Sequence, residues 1–450
     1  MRRTATFGGV LALFLVTTAG CGGDGAATGQ ALLLVTDAPL DGLVKFEIAV
    51  TSVTLGPGNV SVLAMPERLE VTSLAMTTDV LRLASVPAGT YSSATFTFSD
   101  AEIKFFKNNM LDEVDPLALI NNSVTVPVSF TVAAGQVAGL LIDFDLAGSV
   151  QPQTAADASE ITGVDPMLSI SNVDIDAGEN EIEDVLGRVL SVTPGSPGVN
   201  PSFQFEDFSS CQGDPLTVEV DGNTQFEDFE PSPNAFSSLV ADQVIELDAD
   251  VLADGTILAE DIELDSDETE DEIEGVIIDV TRDPGGDVTR FDLALIDVAP
   301  CPATFPADDS VTVIVPGGFN SFRIDDDGFT VSHPFGSSLN LDLGQKVDVD
   351  PVGAIAMMVT ADRIKLSDQT IRGTVVPGSL TATTFELVPN SSLFPDSSIT
   401  VETQTDTRFD DLPNKVASLM DGQAVRVKGL LFRTGMNAMT FVAKRVDGTP

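Results

Sequence analysis

The sequence predicts an all-β protein: an N-terminal β-sandwich followed by three small OB-like β-barrel repeats. Three observations carry that reading. Apolar and small polar residues alternate through segments such as Thr95-Phe96-Thr97-Phe98 and Ser123 to Val132, the period-2 signature of half-buried strands. Turn residues punctuate the chain roughly every 8–12 positions, and the chain holds 37 Gly and 26 Pro to supply them. The C-terminal half repeats itself, and small repeated β units close as barrels rather than leave sheet edges open. With 450 residues and 43% hydrophobic content, the chain can bury several cores and is too apolar to be mainly disordered.

The first segment reads as an address. Arg2 and Arg3 form a charged start, and Phe7 to Val16 is an apolar stretch too short for a permanent transmembrane helix. Thr18-Ala19-Gly20-Cys21 follows and resembles a bacterial lipobox. The resemblance implies a lipoprotein signal peptide over 1–20, with Cys21 acylated by palmitate-class chains as the mature N-terminus. Ordinary cleavage near Ala19, leaving Cys21 a plain thiol, is the alternative. Residues 21–30 form a small-residue tether. Position 22 is Gly rather than an acidic residue, which by the usual sorting tendency favours the outer membrane of a Gram-negative host. The expected location is the cell envelope, extracytoplasmic, with the membrane reached through the lipid alone.

The body then divides into the sandwich (31–172) and the barrel repeats (182–265, 273–367 and 371–447), with an acidic linker at 266–272. Each repeat opens with an apolar residue, any residue, then glycine: Val185-Leu186-Gly187, Ile273-Glu274-Gly275 and Ile371-Arg372-Gly373. A Phe-centred strand follows, beginning at Phe203, Phe291 and Phe385, and then an alternating strand from Leu216, Val311 and Ile399. After a polar turn come Gln243-Val244-Ile245-Glu246, Gln345-Lys346-Val347-Asp348 and Gln423-Ala424-Val425-Arg426. Each repeat closes on Ala259/Ile262, Ala361/Ile364 or Ala443/Val446. The one short helix expected lies over Pro413 to Met420, stopped by Asp421-Gly422.

Charge narrows the partners. The chain has 22 Lys+Arg against 69 Asp+Glu, a net −47, which repels nucleic acid and anionic membrane faces. The excess is local. Residues 171–280 hold 30 acidic and one basic residue, whereas 351–450 hold ten of each. The densest run, Asp265 to Glu272, reads as a solvated spacer extended by self-repulsion.

Further motifs resemble known families. Leu34-Val35-Thr36-Asp37-Ala38-Pro39, Val86-Pro87-Ala88-Gly89-Thr90-Tyr91, Leu141-Ile142-Asp143-Phe144-Asp145 and Asp165-Pro166-Met167-Leu168 occur in the order seen in domain-of-unknown-function family 4382. That resemblance spans about residues 30–172. The tryptophan usual between the family's first strands is absent, since the chain has none. The three later units resemble domain-of-unknown-function family 5666, often found in tandem on bacterial lipoproteins. Neither resemblance brings an activity, cofactor or catalytic set.

Little catalytic vocabulary is present. The single histidine, His333, precedes Pro334 and reads as an ordinary surface loop residue. No His/Cys cluster suits zinc, and no glycine loop with a following Lys suits phosphate. The expectation is no enzyme and no cofactor, calcium being the one ion for which oxygen ligands are at hand. Three groups offer them: Asp174, Asp176, Glu179 and Glu181; Asp325, Asp326 and Asp327; and Asp37 with Asp143 and Asp145, the last two on one strand face. Turn capping and polar strand faces are the plainer account of each. Cys211 and Cys301 occupy matching intervals of two repeats, so they either form a disulfide or stay a repeat apart. The function expected is a lipid-anchored, non-catalytic envelope protein for binding, adhesion or structure, with a cell-surface protein or glycan as partner. The alternative is an accessory carbohydrate- or calcium-binding component of a secreted enzyme system.

Overall fold

The computed structural model describes residues 27–448 except 38–42, 64–65, 77, 108–109, 153–159, 174, 176–180, 208–214, 230–232, 253, 267–271, 300–309, 326–328, 356, 392, 395–397 and 436–437. The protein is all-β with a single four-residue α-helix, Leu146–Ser149, among the described residues. Residues 1–26, which include the expected signal peptide and most of the expected tether, and the centre of the acidic run lie outside them.

The N-terminal unit is a sandwich. One sheet orders its strands Leu168–Val173, Val137–Phe144, Thr28–Asp37 and Asp79–Pro87. The other is built on Leu43–Gly56 and the 19-residue strand Gly89–Lys107, with shorter strands on both sides. Phe46, Phe96, Phe98 and Phe144 fill the space between the sheets with Ala31, Leu33 and Val35. Strand alternation sends Leu32 and Leu34 to the opposite face of the same sheet. There they join a second core with Phe203, Phe205 and Val218 of the next unit. Thr28–Asp37 is thus buried on both sides.

The remaining chain forms three sheets on one plan. In the first barrel, Glu181–Thr193, Ser202–Asp207 and Leu216–Glu219 pair in sequence as an antiparallel meander. Val244–Val251 returns to pair with Glu181–Thr193, and Ile257–Ser266 pairs with it and closes in parallel onto Leu216–Glu219. That is the closed Greek-key course expected of an OB-like barrel. The second barrel repeats it with Glu272–Arg282, Val288–Ala299, Ser310–Ile314, Lys346–Ile355 and Met358–Leu366. The third does so with Gln369–Val375, Thr384–Pro389, Ile399–Asp410, Ala424–Gly435 and Ala438–Asp447.

The repeated residues have structural reasons. A Cβ on Gly187, Gly275 or Gly373 would fall 2.4, 2.3 or 2.4 Å from a carbonyl oxygen of the second strand, so only glycine lets the strands cross there. Each repeated Gln ties the turn before the fourth strand. The Oε1 atoms of Gln243, Gln345 and Gln423 accept from the backbone N of Val240, Asp342 and Met420 at 2.8, 2.6 and 2.9 Å. The expected helix at Pro413 to Met420 contracts to a 3₁₀ turn, Lys415–Ser418. The same turn appears in the other barrels as Phe236–Ser238 and Ser338–Asn340.

One expectation is overturned. The acidic run does not hold the barrels apart, because Lys365 of the second pairs with Glu246 of the first. Arg323 Nε also lies 3.6 Å from Asp228. Apolar cores join other pairs of units. Leu430, Phe432 and Val442 of the third barrel complete the core of the second, and Val44 and Phe106 of the sandwich pack on Val276 and Ile296.

Candidate functional site

Three residues after each repeated glutamine, the fourth strand carries Glu246, Asp348 or Arg426. Each sits in a ladder between the first and fifth strands. The ladders read Leu186–Glu246–Glu263, Glu274–Asp348–Lys365 and Arg372–Arg426–Asp447. The third contains its own ion pair: Arg426 Nη2 and Nε donate to Asp447 Oδ2 at 2.5 and 3.1 Å. The first sets two carboxylates directly opposite each other, which is destabilising without a cation.

The second barrel supplies one. Lys365 crosses the seam to Glu246, and its ammonium is buried. Burial alone would lower its pKa, but Glu246, Asp325, Glu263 and Asp348 together raise it well above the ordinary lysine value. More carboxylates line the same place. A cavity of about 70 Å³ is bounded by Glu246, Glu272, Glu274, Asp325, Lys346 and Asp348 among others. Lys346 Nζ lies 2.8 Å from Glu274 Oε1. Asp348 accepts a hydrogen bond from Ser367, and burial pushes its carboxyl up to about 7 despite the opposing pull of Lys365. Burial and then Asp348 and Asp350 raise Glu272 well above the carboxylate range.

The carboxylate oxygens of Glu246, Glu263 and Asp325 all lie within 4.8 Å of one another. Asp325 follows the short strand Phe322–Ile324, is 4% exposed, and is anchored by its backbone N donating to Leu366 O at 2.9 Å. The site is therefore assembled from two barrels, with oxygen as its only ligand atom type. Such a set suits a hard cation, not a soft one.

The sequence-based candidates fall differently. Asp325 enters the seam, but with Glu246 and Glu263; its sequence neighbours Asp326 and Asp327 lie outside the described residues. Asp145 caps Leu146–Ser149, its Oδ1 accepting from Gly148 N at 2.8 Å. Asp143 accepts from Ser169 Oγ at 3.4 Å, and burial raises its pKa. The backbone of Asp37 pairs with Phe144, while its side chain lies outside the description. The same holds for the side chain of Glu181, and for Asp174, Asp176, Glu179, Cys21, Cys211 and Cys301 altogether. His333 is no open loop residue. Its Nε2 lies 3.0 Å from Glu402 Oε2 and its ring 5.4 Å from that of Phe432, so it helps join the second and third barrels. Glu246, Glu263, Glu272 and Lys365 were not singled out from sequence, although the position three after each repeated glutamine marks the ladder.

In class this is a multi-unit β protein, a sandwich fused to OB-like barrels around charged seams. Residues 28–160 match the family described as Domain of unknown function (DUF4382). Residues 215–263 and 372–447 match that described as Domain of unknown function (DUF5666). These are the two families its motifs resemble, and the matched segments fall in the sandwich and in the first and third barrels. No curated protein and no solved structure matches it.

Proposed function

We propose that this is a lipid-anchored, extracytoplasmic protein of the cell envelope that works without catalysis, as a binding, adhesion or structural module. The observation that carries the reading is the two-sided burial of Thr28–Asp37, which starts seven residues after Cys21. A short tether leading directly into a doubly buried strand suits a firm body held close to a lipid anchor. The net charge of −47 favours a cationic or uncharged partner such as a cell-surface protein or glycan. No helix among the described residues is long and apolar enough to cross a membrane.

The test is expression in a Gram-negative host with labelled palmitate. The expected result is label and membrane association for the wild type, and a soluble, unlabelled Cys21→Ser protein. Label-free wild type in the soluble periplasmic fraction would overturn the anchor. The second reading, an accessory calcium- or carbohydrate-binding component, is favoured by the carboxylates at the barrel seam. A thermal-shift screen of the soluble variant against divalent ions and glycans separates the two.

A further inference from the structure

We propose that the seam between the first and second barrels is a calcium-type divalent-cation site, ligated by Glu246, Glu263 and Asp325, with Glu272 facing the cavity that Glu246 and Asp325 border. The argument begins in the ladder. Glu246 and Glu263 are cross-strand partners on one face of the first barrel, with Leu186 on the other side of Glu246, so their own sheet offers them no cation. Asp325 comes from the second barrel and completes three carboxylates whose oxygens lie within 4.8 Å of one another.

A second observation is independent of that cluster. Glu272 begins the first strand of the second barrel, is only 6% exposed, and borders the cavity with Glu246 and Asp325. Its Oε2 has no hydrogen-bond partner among the described residues. A buried carboxylate oxygen left without a partner costs free energy unless something charged or protic meets it. The cavity, about 70 Å³, has room for an ion with a few waters, since about 10–15 Å³ of such space holds one water.

Charge decides the occupant. Seven carboxylates border the cavity (Glu246, Glu272, Glu274, Asp297, Asp325, Asp348 and Asp368) against Lys346. Lys365 reaches in to Glu246, and Lys428 and Lys444 approach Asp368 at 3.3 and 3.6 Å. Around Glu263 stand Lys365, Asp325, Asp228 and Arg363, and around Glu272 also Asp350. The ammonium of Lys365 is the internal cation that a metal would displace from Glu246. All-oxygen ligation with no His or Cys selects a hard ion. Ligands drawn from separate strands of two barrels suit the larger, less regular shell of calcium over the strict octahedron of magnesium.

The inference does not depend on lipid anchoring. An extracytoplasmic location supplies the ion in the cell, but binding is read on the purified protein. The experiment is isothermal titration of chelator-stripped, soluble Cys21→Ser full-length chain with calcium chloride at pH 7.5 and about 0.15 M salt. It is paired with thermal denaturation. The expected result is one calcium per chain with a dissociation constant of about 10⁻⁵–10⁻³ M and a raised melting temperature. Glu263→Gln and Asp325→Asn should weaken binding at least tenfold, while Glu102→Gln, at the half-exposed trio Glu102, Glu113 and Asp115 of the sandwich, leaves it unchanged. Lys365→Met should bind calcium more tightly, a gain that misfolding cannot produce. No calcium uptake by the parent protein, or uptake unaltered by both Glu263→Gln and Asp325→Asn, overturns the site. So does weaker binding in Lys365→Met, which would make that ammonium part of the binding geometry instead of its competitor.

Discussion

The first and third barrels follow the same chain course and put the same three positions in register, yet they resolve charge in opposite ways. In the third, Arg372, Arg426 and Asp447 make a ladder whose ion pair is internal. In the first, Leu186, Glu246 and Glu263 leave two carboxylates opposed, and relief comes from Lys365 of a neighbour. The difference shows what a repeated scaffold permits. The backbone plan tolerates any sign at an outward ladder position, so electrostatics there define how units meet. A ladder with an ion pair of its own depends less on what lies outside it. An unbalanced one creates a dependence on another unit, or on an ion.

The comparison can be broken or sharpened experimentally. The largest effect tests what the two barrels share: Phe203→Ala and Phe385→Ala each remove a ring that is 1% exposed. Each should cost about 3–5 kcal/mol in urea unfolding, and a large difference between them would show unequal cores. Next comes the asymmetry. In calcium-free buffer Lys365→Met removes the ammonium paired with Glu246, leaving Arg363 as the neighbouring cation, and should cost about 3–5 kcal/mol, restored in part by millimolar calcium. Asp447→Asn, which removes one partner of the half-buried pair in the third barrel, should cost about 1–3 kcal/mol with no calcium response.

A smaller effect is pH dependence from the second barrel. The Asp348 carboxyl is raised from 3.8 to about 7 in the folded chain, so the folded state holds that proton more tightly than the unfolded state. Its stabilising contribution is complete below about pH 4 and is lost as pH rises to about 7. Asp348→Asn should flatten the fall in melting temperature between pH 5 and pH 8; an unchanged slope would assign that fall to other groups. The smallest expected response is to salt. With the barrels in contact through buried groups, raising salt from about 0.05 to 0.5 M should leave the radius of gyration from X-ray scattering unchanged. Measurable expansion would restore the spacer role first read into residues 266–272.

Much of the fold was legible because period-2 alternation and repeated glycines report directly on strand geometry. Gly187, Gly275 and Gly373 are required by close strand crossing, and that requirement leaves an unmistakable pattern. The seam was harder to see. Glu246, Glu263, Glu272 and Asp325 are separated by up to 79 positions, and nothing local in any one of them differs from an ordinary solvated carboxylate. In a chain with 69 acidic residues, pairing by eye selects sequence neighbours such as Asp325 with Asp326 and Asp327. The structure instead joins two ladder residues of the first barrel with Asp325, which follows a short strand of the second, and Glu272, which begins that barrel's first strand. Asp145 misled for the opposite reason: a carboxylate beside a strand end also fits helix capping, and capping is its role here. The run Ala31-Leu32-Leu33-Leu34-Val35, continuous where other strands alternate, was a signal for burial on two sides.

That doubly buried strand bears on how separable the parts are. Cut after the sandwich, the chain would expose Leu32, Leu34 and Val80, all buried in the intact protein against the first barrel. An isolated N-terminal fragment would then present a flat apolar sheet face to water, the kind of surface that recruits a second copy of itself. The unit of inheritance and the unit of solubility therefore differ here. A sequence module can be copied between genes at its edge, but this one is expected to stay monodisperse only when its neighbour travels with it.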